Sequence, residues 1–280
     1  MTDSTTVTET VLIGQITDTH VIDPSDDRPT HVDNNQQLRD VVASMLDESP
    51  APHAVLATGD LTDRADPVSY EILVDILSPL ADRVLPLPGN HDERDGVRAA
   101  FPDAPWTDAD HLCWSTTVEH VRIVGLDTLR PGHHGAQCDE GRATWLADTL
   151  ASQHDGPTIL AMHHPPFESG IAPMDRYGFV GLELLHEAVS SSPPDLIVCG
   201  HLHRPAVSTF AGVTARIAPS TVQHVALDLA PAHDARPLAV IRDPIGYDLH
   251  RVSTDSAGRR SIVSHIRYVG TGARPVVATD

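Results

Sequence analysis

Residues 84–92 read Val84-Leu85-Pro86-Leu87-Pro88-Gly89-Asn90-His91-Asp92. The first five are apolar and give way at once to a polar turn, the pattern of a buried strand that stops where a site begins. Asn90 offers a neutral carbonyl oxygen and His91 an imidazole, side by side at the strand's end. The same arrangement recurs along the chain. Val11 to Thr17 leads into Asp18-Thr19-His20, and Ala54 to Thr58 into Gly59-Asp60-Leu61-Thr62-Asp63. Thr158 to Met162 leads into His163-His164-Pro165-Pro166, and Leu196 to Cys199 into Gly200-His201-Leu202-His203. In Asp-x-His and His-x-His the two side chains stand on one side of an extended segment and can point at one ion.

Between these strands the periodicity is helical. Asp33 is expected to cap a helix, with Gln36 at the capping-box position and Leu38, Val41, Val42, Met45 and Leu46 as its apolar face. Asp66 and Pro67 start a second helix whose buried stripe is Tyr70, Leu73, Val74 and Leu77. A short helix is expected over Arg94 to Phe101. Strand, helix, strand, helix, strand places each polar motif at a strand's C-terminal end, where α/β sheets form their sites. From Leu112 the pattern changes. Leu112 to Val118 and Val121 to Leu126 read as antiparallel strands around a turn at Glu119-His120, which suggests a second sheet. Asp139 begins a helix burying Trp145, Leu146 and Leu150, and another covers Leu182, Leu185 and Val189. Further strands are expected over Val213 to Ile217, Val222 to Leu229, Tyr247 to Val252 and Ser261 to Tyr268. The loops Asp23 to His31, Pro131 to Ala136 and Glu168 to Phe179 would face a substrate. Residues 1–10 are expected to be loose, 11–270 to form one domain with a β-rich segment over 207–270, and 271–280 to be a loose tail.

Composition narrows the function. The 280 residues carry a net charge of −20, and all 19 basic side chains are Arg. An acidic body without a basic stripe disfavours long polyanions, so no nucleic-acid polymer is expected as partner. A small phosphorylated substrate remains compatible if a local cation centre reverses the field. No apolar run reaches the length of a membrane span, and the N-terminus lacks a basic n-region or apolar h-region, so the expected compartment is the cytoplasm. Cys113, Cys138 and Cys199 are widely spaced and odd in number, which suits a reducing compartment. The mixture of His, Asp and Asn at strand ends, without thiolate, suits Mn, Fe, Zn or Co. It exceeds what one ion needs, so two ions sharing a carboxylate is the economical arrangement.

Asp18-x-His20, Gly59-Asp60, Gly89-Asn90-His91-Asp92, His163 and Gly200-His201-x-His203 resemble, in order and spacing, the calcineurin-like metallophosphoesterases. The wording of the motifs is most similar to class III cyclic nucleotide phosphodiesterases and their glycerophosphodiesterase relatives. The resemblance implies a four-layer α/β/β/α sandwich of two mixed β-sheets flanked by helices. It implies that Asp18, His20, Asp60 and His203 hold one metal ion, and Asp60, Asn90, His163 and His201 the other. His164 and Asp92 are expected behind these ligands. His91 is the expected acid for the leaving group, with Asp63 as its orienting carboxylate. Asn90, His91, His134 and His203 are expected against the substrate, with His133 beside them. The implied reaction is in-line attack of a metal-bridging hydroxide on a small phosphodiester, such as 3′,5′-cAMP or a 2′,3′-cyclic nucleotide.

Several relatives fit less well. Purple acid phosphatases carry Tyr where Asp63 stands, and the lipid-A pathway pyrophosphatases carry Arg where His91 stands. The superfamily's DNA-repair nucleases, and 5′-nucleotidases with their own substrate domain, need a longer chain. Glycerophosphodiesters or a broader range of phosphate esters are the alternative substrates. A non-catalytic scaffold on the same fold is the rival of another class, although such relatives lose ligands that are all present here. The resemblance leaves a homodimer open, with the β-rich C-terminal segment as its interface. The aromatic residues near the three loops are Phe167, Tyr177 and Phe179, too few to argue base stacking from sequence.

Overall fold

A computed structural model describes residues 7–26, 32–107, 110–233 and 237–270. In chain order the elements begin with β1 (Val7–Ile16), α1 (Asn34–Leu46), β2 (Ala54–Thr58), α2 (Pro67–Leu77), β3 (Val84–Leu87) and α3 (Arg94–Ala100). They continue with β4 (Trp114–Val118), β5 (Val121–Leu126), β6 (Ala136–Gln137), α4 (Glu140–Ala151), β7 (Thr158–Met162), α5 (Ala172–Asp175), β8 (Phe179–Val180) and α6 (Leu182–Ser191). They end with β9 (Leu196–Cys199), β10 (Ala206–Phe210), β11 (Val213–Ile217), β12 (His224–Val225), β13 (Val240–Ile241), β14 (Gly246–Asp255) and β15 (Arg260–Tyr268).

Two mixed sheets carry the architecture, with strand orders β15-β14-β1-β2-β3 and β10-β11-β9-β7-β5-β4. In the first, β1, β2 and β3 are parallel, and in the second β5, β7, β9 and β11 are parallel. The continuous apolar runs of the sequence follow from burial of both faces of these strands. Odd residues of β1 (Val11, Ile13), even residues of β2 (Ala54, Leu56), and Ile123, Ile159, Ala161, Leu196 and Val198 of the second sheet share one core between the sheets. The alternate residues Val55 and Ala57 pack with Leu38, Val41, Leu73 and Leu77 of α1 and α2. On the opposite side Val124, Leu160, Met162 and Ile197 pack with Leu146, Leu150, Leu185 and Val189 of α4 and α6. Three cores separate four layers, helix, sheet, sheet, helix, as the resemblance implied.

The sheets are also clasped by polar contacts. Trp114 on β4 donates its indole N–H to the Pro86 carbonyl of β3 at 2.7 Å. Arg216 on β11 forks onto the fully buried Asp248 of β14, with Nη2 at 2.9 Å from Oδ1. Bidentate guanidinium–carboxylate geometry adds orientation to the Coulomb attraction.

Several boundaries differ from the sequence reading. β1 starts at Val7, inside the segment expected to be loose, because it pairs with β14 back to Asp255. Asp33 caps α1 through the Gln36 amide, but the Gln36 side chain turns to Asp40 rather than closing a capping box. Val74 on α2 is exposed and Ile76 takes its place in the core. The loop over 168–179 contains α5 and leads into β8. Of the strand expected over 222–229, His224–Val225 alone is paired, with β13. Residues 27–31 of the loop expected over 23–31, and the tail 271–280, lie outside the described residues.

His250 on β14 is fully buried between Gln15 Oε1 at 3.1 Å and Ser264 Oγ at 2.8 Å. Burial holds its imidazole down to about 4, against the pull of the Asp248 carboxylate and with the help of Arg216. The unfolded chain takes up this proton near the ordinary value of 6.5, and the folded chain does not until about 4. The contribution to stability is therefore full above that ordinary value and is lost as pH falls through the window, by at most about 1.4 kcal/mol per pH unit. Urea midpoints measured from pH 7 down to pH 4.5 should fall less steeply for His250→Gln than for the wild type.

Candidate metal centre

The strand ends of both sheets meet on one edge of the sandwich. The β1–β2 ladder continues past its strands: the Asp18 amide donates to Gly59 O at 3.0 Å, and the His20 amide to Asp60 O at 2.9 Å. Across the second sheet the Gly200 amide donates to His163 O at 2.8 Å. Asp18, His20, Asp60, His201 and His203 all have left-handed backbones, with φ of 53°, 41°, 49°, 70° and 52°. Such conformations cost about 1–3 kcal/mol each for non-glycine residues and survive where the surroundings enforce them. Here they turn successive side chains inward from the strand ends.

The result is a tight cluster of donor atoms. Asp60 Oδ2 lies 3.6 Å from His20 Nε2 and 3.3 Å from His163 Nε2. His203 Nε2 lies 2.9 Å from His20 Nε2 and 3.5 Å from Asp18 Oδ1. His163 Nε2 lies 3.3 Å from Asn90 Oδ1. Asp18, His20, Asp60 and His203 form one set able to hold a metal ion, and His163, His164 and His201 another. The far nitrogens are anchored: His163 Nδ1 donates to Thr58 O at 2.8 Å and His203 Nδ1 to Gln223 O at 3.0 Å. Those bonds put the lone pairs on Nε2, facing the cluster. Asp18 Oδ2 is buried with no hydrogen-bond partner. A buried carboxylate with one oxygen lacking a hydrogen bond and the other 3.5 Å from the His203 imidazole fits a cation site.

The electrostatics agree. Burial lowers His201 to about 3 and His203 to about 4, so both imidazoles are neutral at neutral pH, the form able to hold a metal ion. Burial pushes His163 down, but the Asp60 and Asp18 carboxylates outweigh it and raise it to about 9. Burial would raise Asp60, yet the histidines around it, His163 first, hold it well below the usual carboxylate range. Burial pushes Asp18 up. A cation bound in the cluster would displace the proton that the Asp60 and Asp18 carboxylates otherwise keep on His163, and would meet its freed Nε2 lone pair.

Asp92 holds the scaffold behind this cluster. Its buried carboxylate accepts the amides of Leu61 (2.9 Å), Thr62 (3.1 Å) and Gly89 (2.9 Å), and the Tyr70 hydroxyl (3.2 Å). It thus joins the turns that follow β2 and β3. Gly89 is required for space: a Cβ there would lie 2.1 Å from the Asp60 amide. His164 is buried, its Nδ1 2.8 Å from Thr128 Oγ1 and its Nε2 3.2 Å from His134 O.

His91 stands beside the cluster, its ring centroid 4.7 Å from that of His20. Its amide donates to Asp60 Oδ1 at 2.8 Å. The orienting partner differs from the expected one. His91 Nδ1 donates to the backbone carbonyl of Asp63 at 3.0 Å, while the Asp63 carboxylate is 4.0 Å away and lies nearer His20 Nδ1, at 3.2 Å. The Asp63 amide donates to Val21 O, which swings this turn toward the His20 segment. His134 reaches the mouth, its Nδ1 3.3 Å from Asn90 Nδ2, whereas His133 is exposed and its amide turns to Arg130 O.

Sequence reasoning missed Asp127 and Thr128, which follow β5 at the same edge. Asp127 is fully buried, grips Arg94 in a fork and accepts the amides of Leu112 and Leu129. The signal was there, since a strand end followed by Asp-Thr repeats the pattern of the other motifs.

The calcineurin-like phosphoesterase family model matches residues 11–205. A protein of Arcobacter nitrofigilis named a probable glycerophosphodiester phosphodiesterase is 27% identical over 93% of this chain and 94% of its own. One of Rhodopseudomonas palustris named a probable cyclic nucleotide phosphodiesterase is 32% identical over 76% of this chain and 79% of its own. Among solved structures, GAP50, described as the anchor in the inner membrane complex of Plasmodium, superposes with a TM-score of 0.58 at 13% identity. That match covers 94% of this chain and 90% of GAP50, and it speaks for the fold alone.

Replacing Asp92 with Ala strands three buried amides at a cost of about 1–3 kcal/mol each. Asp92→Ala should therefore lose at least about 3 kcal/mol in chemical denaturation, with Asp92→Asn losing less because one carbonyl acceptor remains.

Proposed function

Since this chain belongs to the calcineurin-like phosphoesterase family and is a metal-dependent phosphodiesterase, we propose that it cleaves a small phosphodiester, with cyclic nucleotides as the best-supported substrate. The observation that carries this reading is Asp60, one carboxylate oxygen held between His20 on one sheet and His163 on the other. We assign Asp18, His20, Asp60 and His203 to one ion, and Asp60, Asn90, His163 and His201 to a second. When bound, two such cations supply Lewis-acid charge to the phosphoryl oxygens and an activated water.

The chain's own residues supply the rest. His91 keeps its Nδ1 proton on the Asp63 carbonyl, which leaves Nε2 to give a proton to the departing alkoxide. Burial works against a charged His91, but the Asp60 carboxylate and the groups of Asp63 and Asp92 raise its proton affinity overall. A phosphodiester with a poor leaving group gains most from such an acid. Asn90 and His134 face each other at the mouth, where a phosphoryl oxygen can take hydrogen bonds from both side chains. Glycerophosphodiesters remain the alternative, supported by the Arcobacter relative.

Three buried free cysteines suit a reducing compartment such as the cytoplasm. Among the described residues no helix is long and apolar enough to cross a membrane. A homodimer would pair through β15, an edge strand with Val263 and Tyr268 exposed.

Metal-reconstituted enzyme assayed on 3′,5′-cAMP, 2′,3′-cAMP, glycerophosphodiesters and phosphomonoesters should prefer diesters, and a preference for monoesters would sink the reading. His91→Ala should lower kcat by about 10²–10⁴ on alkyl diesters. Elemental analysis should return about two metal ions per chain, and a value near zero would refute the dinuclear assignment.

A further inference from the structure

Two loops flank the metal-facing edge, one bearing His134 and the other Tyr177. They are joined by a parallel ribbon that pairs Ala136 with Phe179 and Gln137 with Val180. Gly135 is packed against the second loop so closely that a Cβ there would lie 2.1 Å from the Tyr177 carbonyl oxygen. Tyr177 is thereby held over the site, its ring centroid 5.1 Å from that of His134 and 6.5 Å from that of His201. The Arg176 guanidinium lies over the same ring at 5.0 Å and donates to the phenol oxygen at 3.1 Å. Beside Tyr177 a cavity of about 130 Å³ adjoins His164 and His201 and is walled by Phe167, Met174 and Phe179.

We propose that Tyr177 is a specificity-determining residue, a stacking platform for a neutral planar ring carried by the diester substrate, as in the base of a cyclic nucleotide. This rests on the phosphodiesterase reading above. A group esterified to a phosphorus held near His201 and His134 meets Tyr177 and the cavity directly. A base offers that wall a π-face, whereas glycerol offers none. An aromatic wall can also take a quaternary ammonium head, as in glycerophosphocholine. Arg176 argues against that occupant, because it already places a positive charge on Tyr177 and repels a second. The ribbon fixes the backbone beside Tyr177 before substrate arrives, so little main-chain ordering is left to oppose binding.

The test is calorimetric binding of three monoesters, 5′-AMP, glycerol 3-phosphate and phosphocholine, to metal-loaded wild type, Tyr177→Phe and Tyr177→Leu. Tyr177→Leu should weaken 5′-AMP about tenfold and leave glycerol 3-phosphate within about twofold, and Tyr177→Phe should hold both near wild type. Equal weakening of 5′-AMP and glycerol 3-phosphate would overturn the proposal and leave Tyr177 a structural residue. So would an unchanged affinity for 5′-AMP, or phosphocholine binding that is tighter than 5′-AMP and lost in Tyr177→Leu. The diester assay separates the two ideas. A wild type that cleaves no diester yet gives the expected binding pattern keeps the platform and rejects the phosphodiesterase reading. Diester cleavage without that pattern does the reverse.

Discussion

Asp60 is the point on which the two halves of the molecule depend. Its carboxylate faces His20 from the first sheet and His163 from the second, and its second oxygen takes the His91 amide. One buried anion therefore requires β1, β2 and β3 on one side and β7 on the other to end at the same depth. The core between the sheets enforces that depth, because Ile13, Leu56, Ile159 and Val198 interlock across it. Slipping any of these strands by one residue would turn its core residues to the wrong face and withdraw its polar side chain from the cluster.

The cluster is maintained at a local cost. Five residues of the cluster occupy left-handed backbone, and Asp18 keeps a buried oxygen without a hydrogen-bond partner. These features would be faults in a structural turn. They suit a site able to hold a cation, because side chains already aimed inward need no reorganisation on binding. The supports are correspondingly rigid: Asp92 ties the turns after β2 and β3, and Asp127 ties Arg94 to the loop after β5. A chain with net charge −20 can accept an anionic ester at this edge once cations bound in the cluster reverse the field locally.

The fold of GAP50 extends over nearly the whole chain, yet its description is that of an anchor. Architecture alone thus does not separate an enzyme from a scaffold. The side chains carry the distinction: residues able to hold a metal ion stand at the strand ends, and His91 stands beside them with its ring oriented by a hydrogen bond.

Much was legible from the sequence, because strand ends, periodic apolar faces and metal-ligand residues are local properties. The five strand-end motifs and the N-caps at Asp33, Asp66 and Asp139 could be read from the chain alone, and the resemblance already grouped Asp18, His20, Asp60 and His203. What tertiary structure decided depends on distances between segments far apart in the chain. Asp63 lies close in sequence to Asp60, yet which of its oxygens serves His91 was settled by the turn's pairing with Val21. Asp127 acquired its importance from Arg94 and Leu112, and Tyr177 from Gly135 and the ribbon at Ala136. A sequence records which groups can bind, but the packing of sheets and loops determines which of them meet, since hydrogen bonds and ring contacts fall off within a few ångströms.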